Sequence, residues 1–533
     1  MKKRLFLWVG LSLITSLSLA GCQQKTLNSN TIPSNSTTSN SSSIEKEPMI
    51  IPENKATDSE YAFEFDSVTF SPSPTPSSGT NYYTPEEFAF TYKEVRDGEI
   101  YFDPATTGSQ RILVIPVKFQ DDATISSCRN YVGGCDKALT DIEKAFFGDP
   151  SYTGWESVSS YYYKSSYGKL KLQGRVTDWF MVDKTSRQVN GLSTQIYADQ
   201  SYYVLREAAK WYEQNYGDLE YYDQNNDGYV DAIWLVYDHP YSTLGNNIWW
   251  AYTFWDYQNT ASGLKPYTYA WASVDFLYEG LYQQNGVAVA DAHTFIHETG
   301  HVLGLDDYYN YDENSTYGAA GKIDMMDYNI GDHNAYSKML LGWTMPKVVT
   351  GDTTITIAPF ESSGDCILVR GDSTWNQTAM DEYLLIEFSS PSGLNYLDSL
   401  KPYTGGVQHF TESGIKIYHI DSRLGVFDYW GNLAYYTDSL EGSPSIVHSN
   451  TTQSRSDDEF LIHLLEATGI NSFQYGRAAT NETLFQKGDT FTPSQFANFF
   501  ANGTRFNDGT EIGYSITIDE ITTNSATITF KKV

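Results

Sequence analysis

The run His297-Glu298-Thr299-Gly300-His301-Val302-Leu303-Gly304-Leu305-Asp306 constrains this 533-residue chain more than any other feature. Two histidines four residues apart lie one turn from each other on a single helix face, so both imidazoles reach one point in space. Imidazole pairs of this kind hold zinc, and a glutamate beside the first of them sits where its carboxylate can take a proton from water. Gly304 lets the backbone leave the helix through a left-handed conformation. That turn is expected to bring Asp306 back as a third ligand, with Asp324 or another downstream acid as the alternative. Three protein ligands leave a fourth position for water, which is the arrangement of a catalytic zinc site. His293, one turn earlier on the same helix, is expected to be packed; supporting a ligand is its other reading.

Downstream lies Lys322-Ile323-Asp324-Met325-Met326-Asp327-Tyr328. A methionine turn beneath the metal accompanies the extended motif in metzincins, with Met326 as a polarizable floor and Tyr328 as a donor to a developing oxyanion. The run from Phe295 to Tyr309, with Met326-Asp327-Tyr328-Asn329-Ile330-Gly331-Asp332-His333-Asn334-Ala335-Tyr336-Ser337-Lys338 and Leu341-Gly342-Trp343, resembles the immune inhibitor A family of bacterial secreted zinc metalloproteases. Ser166-Tyr167-Gly168-Lys169-Leu170 and Gly414-Ile415-Lys416-Ile417-Tyr418-His419-Ile420-Asp421 are similar to that family too. The resemblance covers roughly residues 110–425. It implies an α+β zincin-like (metzincin-like) catalytic domain that cleaves protein or peptide substrates, with His297, His301 and Asp306 on zinc and Glu298 as general base. Metzincins proper carry histidine at the third position, and this chain departs from them there.

The chain opens Met1-Lys2-Lys3-Arg4, runs apolar over residues 5–19 and reaches Leu19-Ala20-Gly21-Cys22. A basic start, a short apolar stretch and small residues describe an export signal, too short for a membrane span. The ending resembles a bacterial lipobox, which implies acylation of Cys22 and residence on the extracellular face of the cell membrane. Residues 1–21 are therefore read as a lipoprotein signal peptide and 22–60 as a lipid-anchored disordered tether, since 28–43 is almost entirely Ser, Thr and Asn. A net charge of −31 repels phosphate backbones and argues against nucleic acid as a partner. Four cysteines are too few for a disulfide framework. Cys128 and Cys135 bracket a short glycine-containing loop and suit a disulfide in an oxidising exterior, whereas Cys366 reads as a buried small hydrophobe.

Residues 61–104 form an N-terminal segment and a candidate inhibitory prosegment, 105–346 the catalytic domain, and 347–533 a β-sandwich-like C-terminal domain. Strands are expected at 111–119 and 229–237, and helices at 155–167 and 201–214. Short β runs follow at 353–357, 383–388, 415–420 and 515–530. His419 and Asp421 share a strand face and read as structural. Asp223-Gln224-Asn225-Asn226-Asp227-Gly228-Tyr229-Val230-Asp231 follows an EF-hand loop through its ninth position, with Asp223, Asn225, Asp227, Tyr229 and Asp231 as calcium ligands. Trp234 stands where the bidentate glutamate belongs, so an acidic turn that binds nothing is the competing reading. Two rivals to a membrane-anchored zinc endopeptidase come from other classes. One is a lipoprotein binding module, which leaves the histidine pair unexplained. The other is an adhesin on an inactive zincin scaffold, yet Glu298 and both histidines are intact.

Overall fold

The apolar run from Ile112 to Val117 becomes the middle of a long strand, Gly108–Lys118, buried on both faces. A computed structural model of the chain describes residues 61–68, 70, 80–82, 104–193, 200–242, 248–259, 263–279, 282–284, 287–312, 315–370, 375–376, 378–403, 406–427, 433–435, 445–451 and 459–533. The signal, Cys22 and tether readings lie outside the described residues. Gly108–Lys118 pairs in parallel with Leu170–Val176 on one side and with Ile233–Tyr237 on the other. Thr268–Ser273 continues the parallel order, and Tyr252–Trp255 closes the edge running antiparallel.

Strands buried on both faces need helices on both faces. Leu113, Ile115 and Leu235 meet Val204, Leu205, Ala208 and Tyr212 of the helix Ser201–Asn215. Ile112, Val114, Trp234 and Val236 face the helices Gly134–Phe147, Val158–Ser165 and His293–Val302. The strand expected over 229–237 is broken at the buried Asp231, whose Oδ2 accepts from Gln224 N at 3.0 Å. Tyr229–Val230 then pairs with Lys265–Pro266, and only Ile233–Tyr237 enters the main sheet. Cys128 and Cys135 form a disulfide with their Cα atoms 4.8 Å apart, and Cys366 is buried and free.

Beyond residue 346 the regular secondary structure of the described residues is mostly sheet. Thr80–Tyr82, Lys347–Val349, Cys366–Val369, Glu382–Ser389, Gly414–Asp421 and Ile462–Leu464 form one six-stranded sheet in that order. A second sheet has the order Thr353–Ile357, Ala526–Lys532, Tyr514–Ile521, Thr490–Phe491. Strand alternation divides the larger sheet's residues between two cores. Ile367, Leu384, Ile386, Ile415 and Ile417 pack on Ile355, Ile516, Ile518 and Phe530 of the smaller sheet. Leu368, Tyr383, Leu385, Tyr418 and Ile420 turn the other way and join the core beneath His293–Val302. The leading segment touches both halves. Phe63, Phe65 and Phe70 set their rings against Tyr163, and Thr80–Tyr82 adds the edge strand beside Lys347–Val349.

Buried charges register the two halves. Asp332, which pairs with Lys338 Nζ at 2.6 Å, donates its N–H across to Asn395 Oδ1 at 2.9 Å, and Lys416 pairs with Glu387, whose other oxygen accepts from Ala335 N at 2.9 Å. His293 is held most fully. Its ring stacks between Trp155 at 4.0 Å and Tyr403 at 4.1 Å, with Asp291 Oδ1 2.6 Å from Nδ1 and Asp398 Oδ1 3.6 Å from Nε2. Burial opposes protonation of this imidazole, but Asp291 and Asp398 override it and raise its pKa to about 9. A histidine raised above its unfolded value near 6.5 adds stability that is complete below that pH and is lost as pH rises through about 9. His293→Gln should therefore cost about 3 kcal/mol at pH 6, the range for breaking a buried pair. The difference in stability from wild type, followed by denaturant unfolding, should shrink between pH 6.5 and 9.5; a constant difference would show that the ring is not charged.

Candidate metal centre

The helix His293–Val302 lies across the main sheet and is buried along nearly its whole length. Phe295 packs against Phe146 and Trp234, Tyr162 donates its hydroxyl to Ile296 O at 2.7 Å, and Trp234 Nε1 donates to Thr299 Oγ1 at 3.2 Å. These contacts fix the rotation of the helix and so aim the face that carries His297 and His301. Each imidazole is then oriented by the main chain. His297 Nδ1 lies 2.7 Å from Met325 O, and His301 Nδ1 lies 2.7 Å from Leu305 O. A carbonyl oxygen only accepts, so both Nδ1 atoms carry the proton and both Nε2 atoms face the same space.

The third group there is Asp307, not Asp306. Asp307 Oδ1 is 3.0 Å from His297 Nε2 and 3.3 Å from His301 Nε2, while Asp306 is half-buried in the turn before it. Gly304 takes φ +98°, Leu305 N donates back to Gly300 O at 3.0 Å, and Tyr308 N donates to Met326 O at 2.9 Å. With Leu305 and Tyr308 pinned at the two ends, the side chain delivered to the imidazoles is that of Asp307. Asp324, the alternative, is engaged elsewhere: Oδ1 accepts from Met326 N, and Oδ2 accepts from Asn334 N and Nδ2.

The three candidate ligand atoms lie within 4.8 Å of one another, and Asp307 Oδ1 is buried without a properly directed hydrogen bond. Burial opposes ionisation of Asp307, but the charge of His301 beside it holds the carboxylate well below its ordinary range. Burial likewise opposes protonation of His301, and Asp307 raises its pKa to about 10. Two imidazole nitrogens and one carboxylate oxygen in a buried pocket of this polarity fit zinc. Among the described residues one other such group occurs, Cys128, Cys135 and Asp238, and its two cysteines are bonded to each other.

Glu298 is buried beside the ligands, and desolvation raises its pKa. Thr253 Oγ1, from the antiparallel edge strand, lies 2.9 Å from Glu298 O and 3.3 Å from Glu298 Oε2. Met326 runs under the helix where Gly300 leaves room, for a Cβ at Gly300 would lie 2.5 Å from Met326 Sδ. Tyr328 sits at the end of the short helix Met325–Tyr328, with Lys322 Nζ 5.5 Å from its ring centre, while Tyr309 stacks 6.3 Å from the His297 ring. Sequence reasoning missed Asp307, Thr253 and Tyr309. Only Asp307 left a local signal, as the second of two consecutive aspartates.

The loop read as a calcium site uses its side-chain oxygens on its own backbone. Asp223 accepts from Asp227 N and Gly228 N, Asn225 accepts from Asp227 N, and Asp227 Oδ1 accepts from Tyr229 N. Asn225 Nδ2 donates to Asp227 Oδ2 at 2.8 Å. Asn226 at φ +59° and Gly228 at φ +88° make the bend. Comparison of the chain with protein-family models and with curated protein sequences finds no match.

Proposed function

We propose that this chain is a zinc metalloendopeptidase with a zincin-like (metzincin-like) catalytic domain of the immune inhibitor A type. The observation that carries the reading is the convergence of His297 Nε2, His301 Nε2 and Asp307 Oδ1 with the buried Glu298 carboxylate beside them. Zinc held there supplies a Lewis acid for the scissile carbonyl and lowers the pKa of water. Glu298 takes the proton of the attacking water and delivers it to the amide nitrogen that leaves. Thr253 holds Glu298 in place, and Tyr328 is the proposed hydroxyl donor to the carbonyl oxygen.

The lipobox resemblance supports a location outside the cell on a lipid anchor at Cys22, where calcium is abundant and the loop Asp223, Asn225, Asp227, Tyr229 and Asp231 is proposed to bind it. The experiment is cleavage of a denatured protein mixture by wild type and Glu298→Gln, with zinc content measured on both. Glu298→Gln should keep its zinc and lose at least about 10²-fold in rate, the lower end of general-base contributions; Tyr328→Phe should lose less. A wild type that holds zinc and cleaves nothing would favour a binding module or adhesin on the same scaffold.

Two further outcomes belong to this reading. Millimolar calcium should raise the melting temperature at constant zinc, and Asp227→Ala should abolish that rise; no shift in the wild type reduces the loop to an acidic turn. Cys22→Ser should shift the protein out of the detergent phase in a partitioning assay, and an unacylated Cys22 in the wild type would remove the anchor.

A further inference from the structure

We infer that the C-terminal sheet is a built part of the metal centre: the segment Asn450-Thr451, through Tyr311, positions the carboxylate of Asp307. The inference rests on the proposal that His297, His301 and Asp307 hold zinc. Asp307 has two oxygens with different duties. Oδ2 accepts the Tyr311 hydroxyl at 2.5 Å, and Oδ1 faces the imidazoles. A carboxylate held by one oxygen presents the other at a fixed angle, and partners of this kind typically govern about 10–100-fold in metal affinity.

Tyr311 is in turn held from across the molecule. Its N–H donates to Thr451 O at 3.1 Å. Asn450 Nδ2 donates to Tyr308 O at 3.2 Å and to Ile462 O at 2.8 Å, and its Oδ1 accepts from Ile462 N at 3.0 Å. One buried amide therefore joins the ligand loop to the edge strand Ile462–Leu464 of the larger sheet, which pairs with Gly414–Asp421. The near side of the loop is tied to the methionine turn through Tyr308 N and Met326 O, and to Ser337 through the Tyr308 hydroxyl at 2.7 Å. A loop gripped at Tyr308 and at Tyr311 leaves Asp307 little freedom between them. These are positioning residues, since none of Tyr311, Asn450 and Thr451 places an atom among the three ligand atoms.

Binding linkage is reciprocal, so zinc must tighten the same contacts that tighten zinc. The test measures zinc affinity of the full chain by competition with a chromophoric chelator, for wild type, Tyr311→Phe, Asn450→Ala and Ile528→Ala. Ile528 is buried in the core between the two C-terminal sheets and controls for simple destabilisation. Tyr311→Phe should bind zinc about 10–100-fold more weakly, Asn450→Ala should also bind more weakly, and Ile528→Ala should match wild type while melting earlier. Hydrogen exchange provides a readout that needs no variant: zinc should slow exchange of the Ile462 amide in the wild type. Wild-type affinity in Tyr311→Phe or in a folded Asn450→Ala, or an Ile462 amide indifferent to zinc, would overturn the inference while leaving the zinc site standing. A wild type that takes up no zinc would instead overturn the reading on which the inference rests.

Discussion

Everything around the candidate site depends on keeping two imidazoles and a carboxylate, the candidate donors, facing one another in a buried place. Removing polar groups from water is costly unless each is held by a partner. The protein meets that cost by holding every donor from behind. Main-chain carbonyls at Met325 and Leu305 take the Nδ1 protons, and Tyr311 takes one oxygen of Asp307. The glycine at 300 lets Met326 approach closely enough for Met325 O to reach His297. Removing any one of these supports frees one of the three side chains to turn away from the others, so the loops after the helix are as much a part of the candidate centre as the helix.

The same logic explains the polar seam between the halves of the molecule. Buried ion pairs contribute little net stability against an apolar replacement, but a charge misaligned with its partner is heavily penalised. Asp332 on Asn395, Glu387 on Ala335, and His293 on Asp398 thus act as register pins across the seam, with Lys338, Lys416 and Asp291 as the local counter-charges. His293 belongs to the helix that carries His297 and His301, and Asp398 and Tyr403 come from the connection between Glu382–Ser389 and Gly414–Asp421, so that connection fixes one end of the helix. Further from the site, His419 pairs with Glu382, and Asp421 pairs with Arg423 and His448 within the C-terminal region. That network ties strands to a neighbouring loop through Asn507, in keeping with the structural role expected of the pair.

The core beneath His293–Val302 includes Leu385, Tyr418 and Ile420 as well as Trp234 and Phe295. A domain boundary at residue 346 follows the change in sequence texture, yet apolar packing crosses it without interruption. The leading segment crosses it too, through the aromatic contacts of Phe63, Phe65 and Phe70 and the edge strand Thr80–Tyr82. Packing of this kind makes cooperative behaviour of the two parts the expectation.

What is local was legible in the sequence. Four-residue spacing sets two imidazoles on one helix face, a glycine permits the turn after them, and apolar periodicity marks Gly108–Lys118 and Ser201–Asn215, because backbone geometry over a few residues is set by steric rules within those residues. It could not choose between Asp306 and Asp307. That choice depends on where Leu305 and Tyr308 are anchored, and one anchor, Met326 O, is separated from Tyr308 by a loop. Nor could it reveal Thr253 beside Glu298, Thr451 behind Tyr311, or the charge on His293 between Trp155 and Tyr403. Those partners lie tens to more than a hundred residues away in the chain. Their proximity is decided by how sheets and helices pack, since burial and hydrogen bonding between distant segments obey no sequence spacing.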